Sequence, residues 1–256
     1  LLKLVRPTFD DYKSENKAFR DAARQLSGLR DAASMLETYD ALMSAVADTT
    51  DRTAFAPIRA GLLRDAQAAC RDADAPVRME TARRALDAAG KRTDRWMLRK
   101  TGFDALAGGL RSSYARARRA MDAAWAEPDD AKLHAWRKRV KDHWYHTRLL
   151  RDLNPSMLDP HEAAADRLAD MLGDHHDLAV LEAHLSHASS GFAPTADLDA
   201  FLTCLRQRKR TLNTGAFELG RLFLSERDKA LAKRWRKYWS TWRAGKMHGH
   251  RLLVKA

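Results

Sequence analysis

Hydrophobic positions recur along this chain at a spacing near 3.6 residues, and strand-like alternation is missing. Phe19, Ala22, Leu26, Leu29, Ala33 and Leu36 predict one long helix from Ser14, its cap, to about Ala45. Further helices are predicted over 54–72 (Pro57 in the first turn), 77–89 (ended by Gly90), 103–125, 130–153 and 159–186. A helical turn is expected over 93–100. Residues 196–212 and a shorter run from Gly215 to about Ser225 follow, then 229–243 with Leu231, Trp235, Tyr238, Trp239 and Trp242 as an apolar stripe. Lys233, Arg236, Lys237 and Arg243 lie off that stripe, and the tail from Gly245, with His248 and His250, is expected to fray. Pro7 closes a short opening stretch, Leu1 to Arg6, which reads as the last turn of a helix begun upstream. Gly108-Gly109 reads as a close helix contact. The fold class is therefore all-α, in keeping with many Ala, Leu and Arg and few β-branched residues.

One helix organises the reading. Wound at about 100° per residue, Lys132 to Arg151 places His134, Arg137, Lys138, Lys141, Tyr145 and Arg148 on one face. Leu133, Trp136, Val140, Trp144 and Thr147 fall on an adjacent one. Asp129 or Asp130 serves as N-cap. Like charges one turn apart cost roughly 0.2–0.5 kcal/mol per pair, so a line of cations asks for an anion to offset it. Arg111, Arg116, Arg118 and Arg119 make the preceding helix basic too.

Charge widens this point. Net charge is +12 and the sequence pI is near 9.9. A field of that sign calls for a polyanion: phosphate chains, nucleic acid or an acidic surface. No stretch approaches the roughly 18 apolar residues of a membrane span, and no signal peptide is read. Cys70 and Cys204, among Ala and Leu, read as small buried hydrophobes of a reducing compartment, although a disulfide between them stays open.

The chain also echoes itself. Gln25 to Ala32 resembles Met171 to Leu178, a Leu and a small residue preceding a basic or His position and then Asp. Each half ends in a basic helix with a Trp, Trp125 and Trp235. This suggests a duplicated helical unit, with residues 1–126 as the first repeat, 127–245 as the second and 246–256 as a flexible tail.

Taken together, His134, Arg137, Lys138, Lys141 and Tyr145 resemble the signature of the conserved histidine α-helical domain, CHAD. The family's Arg before the Tyr is Trp144 here, so one cation is lost, and Arg148 lies a turn later. The family's Leu-Gly-Asp block appears as Leu172, Gly173, Asp174 and a downstream Asp177. Its first-repeat counterpart appears as Leu26, Ser27, Arg30 and Asp31. The resemblance implies two four-helix halves related by a pseudo-two-fold axis, with a basic surface groove and most of the first helix missing. It implies a non-catalytic, cytoplasmic protein that binds inorganic polyphosphate, often on polyphosphate granules, without a cofactor. Polyphosphate carries no bases, so Arg forks and Lys point charges in a row suffice to hold it. His134, Arg137, Lys138, Lys141, Tyr145 and Arg148 would make the contact line, with Arg111, Arg118 and Arg119 extending it.

Two other readings compete. Any polyanion, nucleic acid included, could lie on a basic helix, although no helix-turn-helix or RNA-binding motif is present. His175-His176-Asp177, with His134, His143 or His146, hints at a metal-dependent phosphohydrolase of the HD type. Against that, adjacent His residues point about 100° apart on a helix. Asp177 instead reads as a structural acid.

Overall fold

Ten α-helices and three short 3-10 turns make up all the regular structure among the described residues. The computed structural model describes residues 2–26, 31–46, 53–71, 74–187, 192 and 194–253, with side chains omitted at 31, 32, 195 and 247–253. In chain order the helices are α1 (Leu2–Val5), α2 (Tyr12–Leu26), α3 (Asp31–Ala45), α4 (Ala56–Ala69) and α5 (Ala75–Thr93). Then come α6 (Gly102–Ala126), α7 (Asp130–Leu150), α8 (Pro155–His187), α9 (Thr195–Phe223) and α10 (Asp228–Leu253). No helix is long and apolar enough to cross a membrane.

The helices differ from the sequence reading where glycine or proline was taken as punctuation. Within the stretch expected as one helix from Ser14, the described residues form α2, which starts at Tyr12, and α3, and residues 27–30 lie outside the described residues. Most of the first Leu-Ser-x-x-Arg-Asp block lies outside the described residues. Gly90 sits inside α5, and 96–98, expected as part of a helical turn, is irregular. Gly215 sits inside the single helix α9, where a Cβ would come within 3.3 Å of Met171 Sδ. That glycine serves packing rather than a break. α10 runs on past Gly245. Pro155 and Pro57 stand in the first turns of α8 and α4, where a missing N–H costs nothing.

Contacts divide the chain into two compact units, each assembled from separated stretches. Unit 1 comprises Leu1–Tyr12, Met97–Leu172 and Gly215–Ala256. Its core holds Trp136, Trp235, Tyr114, Leu110, Val140 and Leu168, all essentially inaccessible. Each such side chain contributes roughly 1.5–3 kcal/mol on leaving water. α6 packs along α7, α1 and α10. At the α1 crossing a Cβ on Gly109 would stand 1.8 Å from the Leu4 carbonyl oxygen, so only glycine permits this approach. Gly108 lies against Pro7 in the same way. The glycine pair is thus the close helix contact its sequence indicates.

Unit 2 comprises Lys13–Trp96 and Gly173–Thr214. Tyr39 stacks on Phe201 at 5.4 Å and donates its hydroxyl to the Phe55 carbonyl at 3.0 Å. Ile58, Leu62, Leu181 and Leu205 complete that core. Both thiols belong to unit 2 and are unbonded. Cys204 is half-buried, whereas Cys70 is exposed, contrary to its reading as a buried hydrophobe. It falls in the turn that follows the end of α4.

Candidate functional site

α7 starts where the sequence places it. Asp129 accepts from the Lys132 backbone N–H at 2.6 Å and so satisfies one of the orphan donors of the first turn. No Gly or Pro interrupts the next 21 residues. The buried face is Leu133, Trp136, Val140, His143, His146, Thr147 and Leu150. It differs from the expected one in a telling way. Two histidines sit in the core, and Trp144 lies half-buried at its edge.

His143 reaches Nε2 of His161 with its own Nε2 at 3.0 Å, between Tyr114, Phe223 and Trp235. His146 Nδ1 pairs with Ser113 Oγ at 3.0 Å. Burial holds all three rings neutral. It pushes His146 and His161 down to about 4, and His143 well below its ordinary value. They serve the core rather than a ligand.

On the opposite side of α7 stand His134, Arg137, Lys138, Lys141, Tyr145 and Arg148, each half-buried or exposed. The cations of this helix fall into two sets. Lys132 pairs with Glu127 and Asp129 at 2.8 and 2.7 Å, and Arg139 reaches Asp142 at 3.4 Å. Asp142, the one acid inside the basic run, takes Lys3 at 2.6 Å. Arg137, Lys138, Lys141 and Arg148 have no acidic partner among the described residues. Arg137 Nε is buried with no protein acceptor, an arrangement that costs roughly 1–3 kcal/mol unless something accepts from it.

Trp144 orders part of this face. Lys141 Nζ lies 5.4 Å from its ring centre and 5.8 Å from that of Tyr145. Arg148 Cζ lies 5.6 Å from the Trp144 ring, and the two aromatic rings are 4.6 Å apart. The side chain that costs the line one cation therefore holds two others in place. The spacings i−3 and i+4 from Trp144 carried that information in the sequence.

The basic residues of α6 fare differently. Arg111 pairs with Asp228 at 3.0 Å, and Arg118 donates to the Glu226 carbonyl at 3.3 Å. Tyr114 donates to the Phe223 carbonyl at 3.1 Å. This side of α6 clamps the chain as it enters α10. Arg119 is exposed and has no acidic partner among the described residues.

The residues of the phosphohydrolase reading do not converge. Among the described residues no group of three or more His, Cys, Asp or Glu side chains could hold a metal ion. His175 is buried, and His176 and Asp177 are half-buried. Asp174 and Asp177 line a unit 2 cavity of about 240 Å³ with Ser34, Glu37, Thr38 and Arg208.

A family model, that of the CHAD domain, matches residues 1–186. The chain belongs to the CHAD family. CHAD domains are associated with polyphosphate binding, and the matched stretch contains all of α7 and the Leu172-Gly173-Asp174 block. The CHAD match ends before α9 and α10. No curated protein and no solved structure matches the chain.

Proposed function

We propose that this CHAD protein binds inorganic polyphosphate along α7 through His134, Arg137, Lys138, Lys141, Tyr145 and Arg148. The carrying observation is the set of four α7 cations without acidic partners beside others on the same helix that have them. A flexible chain with one charge per phosphate fits such a line. Lys138 and Lys141 supply point charges, Arg137 and Arg148 supply forks, and His134 and Tyr145 add donors. His134 donates from both nitrogens once protonated. Arg119 is available to lengthen the line, while Arg111 and Arg118 are engaged within the protein.

The protein is read as a non-catalytic, cytoplasmic binder that associates with polyphosphate granules. Its architecture is read as two sequence-related repeats, 1–126 and 127–245, presenting a basic groove. Nucleic acid is the second reading. It is favoured by Trp144 and by Tyr145, which is 43% exposed on the basic line and could stack on a base.

The test is a titration with long-chain polyphosphate across a salt series, with duplex DNA as competitor. Tight, salt-sensitive binding that DNA does not displace is expected. Arg137→Gln with Lys141→Gln should weaken it and flatten the log–log salt slope by roughly 0.7–0.9 per cation removed, by analogy with other polyanions. Unchanged affinity in the double variant would overturn the site, and equal displacement by DNA would turn the reading to nucleic acid.

A further inference from the structure

We infer that unit 1 carries a second polyphosphate-binding face, on α10, directed away from the first. The inference rests on the polyphosphate reading and adds a site that lies beyond the family match.

Along α10, Lys229, Lys233, Lys237 and Arg243 are exposed and have no acidic partner among the described residues. Arg236 stands among them, paired with the exposed Asp104. At about 100° per residue these five cations fall within about 120° of arc. Leu231 and Trp235 are buried on the other side. Arg234, off the line, is held by Glu226. From Lys229 to Arg243 is fourteen residues, as is His134 to Arg148 on α7. Each line is therefore roughly 21 Å long at the rise of an α-helix. Among the described residues, four cations without acidic partners on one helix of the unit, Lys229, Lys233, Lys237 and Arg243, thus match in number and one-sidedness the four on another, Arg137, Lys138, Lys141 and Arg148.

The two lines face apart. α7 and α10 meet through His143 and Trp235, whose ring centres are 5.9 Å apart. On α7, His143 lies about 170° round the helix from the centre of its basic line. On α10, Trp235 lies about 140° from the centre of the other. A short chain lying on one line has no direct path to the other. Two short chains would be held independently, and a long chain could join two protein molecules. Two lines on one body raise the effective affinity for a chain long enough to reach both, without any new contact.

The test counts sites. Wild-type protein is titrated calorimetrically with short-chain polyphosphate, beside a variant carrying Lys229→Gln, Lys233→Gln, Lys237→Gln and Arg243→Gln. The variant should lose one bound chain per protein and keep the α7 affinity. It should also lose the light scattering that long-chain polyphosphate induces in wild type by cross-linking. Replacing the same three lysines by Arg should preserve both, and a circular dichroism melt checks that each variant is folded. Wild-type stoichiometry and scattering in the Gln variant would overturn the second face and leave the α7 reading standing. Loss of all binding in the α10 variant, with none lost in Arg137→Gln/Lys141→Gln, would overturn the α7 site instead. A wild type that binds no polyphosphate would overturn both.

Discussion

His143 and His161 meet ring to ring in the core of unit 1, Nε2 to Nε2 at 3.0 Å. One nitrogen donates and the other accepts, so the contact cannot survive with both rings charged. Burial lowers both pKa values. The Arg234 guanidinium lowers that of His161 further, and Glu226 opposes it. His146, on Ser113, is depressed in the same way. An unfolded histidine titrates near 6.5, so between there and about 4 the unfolded chain binds more protons than the folded one. The stability gained by keeping these rings neutral is whole above about 6.5 and lost as pH falls toward 4. Thermal melts across that range should drop, at roughly 1.4 kcal/mol per pH unit for each proton taken up. His146→Asn, which can still bond Ser113, should show a shallower decline. A wild-type melting point constant from pH 6.5 to 4.5 would contradict this account.

Trp144→Leu removes no charge but releases Lys141 and Arg148 from the indole. Polyphosphate affinity should fall by roughly two- to fivefold per lost contact, with the salt slope unchanged. Trp144→Arg should steepen the slope. Equal affinity in wild type and Trp144→Leu would remove any ordering role for the indole.

Arg111→Gln separates the clamp from the binding line. Its partner Asp228 is partly exposed, and such pairs contribute about 0–1 kcal/mol. A slightly lower melting temperature with polyphosphate affinity intact is expected. A fall in affinity as large as that of Arg137→Gln would return Arg111 to the ligand.

Two glycines should respond with opposite sign to Ala. Gly109→Ala drives a methyl into the backbone of α1 and should destabilise the protein by roughly 1–3 kcal/mol. Gly90, in α5, has open space around its Cβ position, and Ala there should stabilise by roughly 0.5–1 kcal/mol. Chemical denaturation of the two variants decides both.

Much of this was legible in the chain. Local rules found α7, its Asp129 cap, the cationic face and the Gly108-Gly109 contact, because capping, helical period and close packing act over a few residues. His143 and His146 were misplaced because histidine counts as polar, and its apolar setting depends on His161, Phe223 and Trp235, distant in sequence. Gly90 and Gly215 looked like breaks because glycine is a poor helix former; Gly215 is held by packing against Met171, whereas Gly90, with open space around it, is carried by the good helix formers on either side. The engagement of Arg111 and Arg118 could not be foreseen either. Their partners, Asp228 and the Glu226 carbonyl, are more than one hundred residues away.

The assembly of unit 1 from three separated stretches sets an order of events during synthesis. Leu4 leaves the ribosome more than two hundred residues ahead of Trp235, which shares its core. Unit 2 has all its parts once Thr214 is out. At about 5–20 residues per second the nascent chain therefore carries the unfinished first core for roughly ten seconds or more. During that interval α1, α6 and α7 expose apolar surface beside a dense row of cations. A chaperone would then meet unit 1 as a half-built, strongly basic core, and α10 is the helix that closes it.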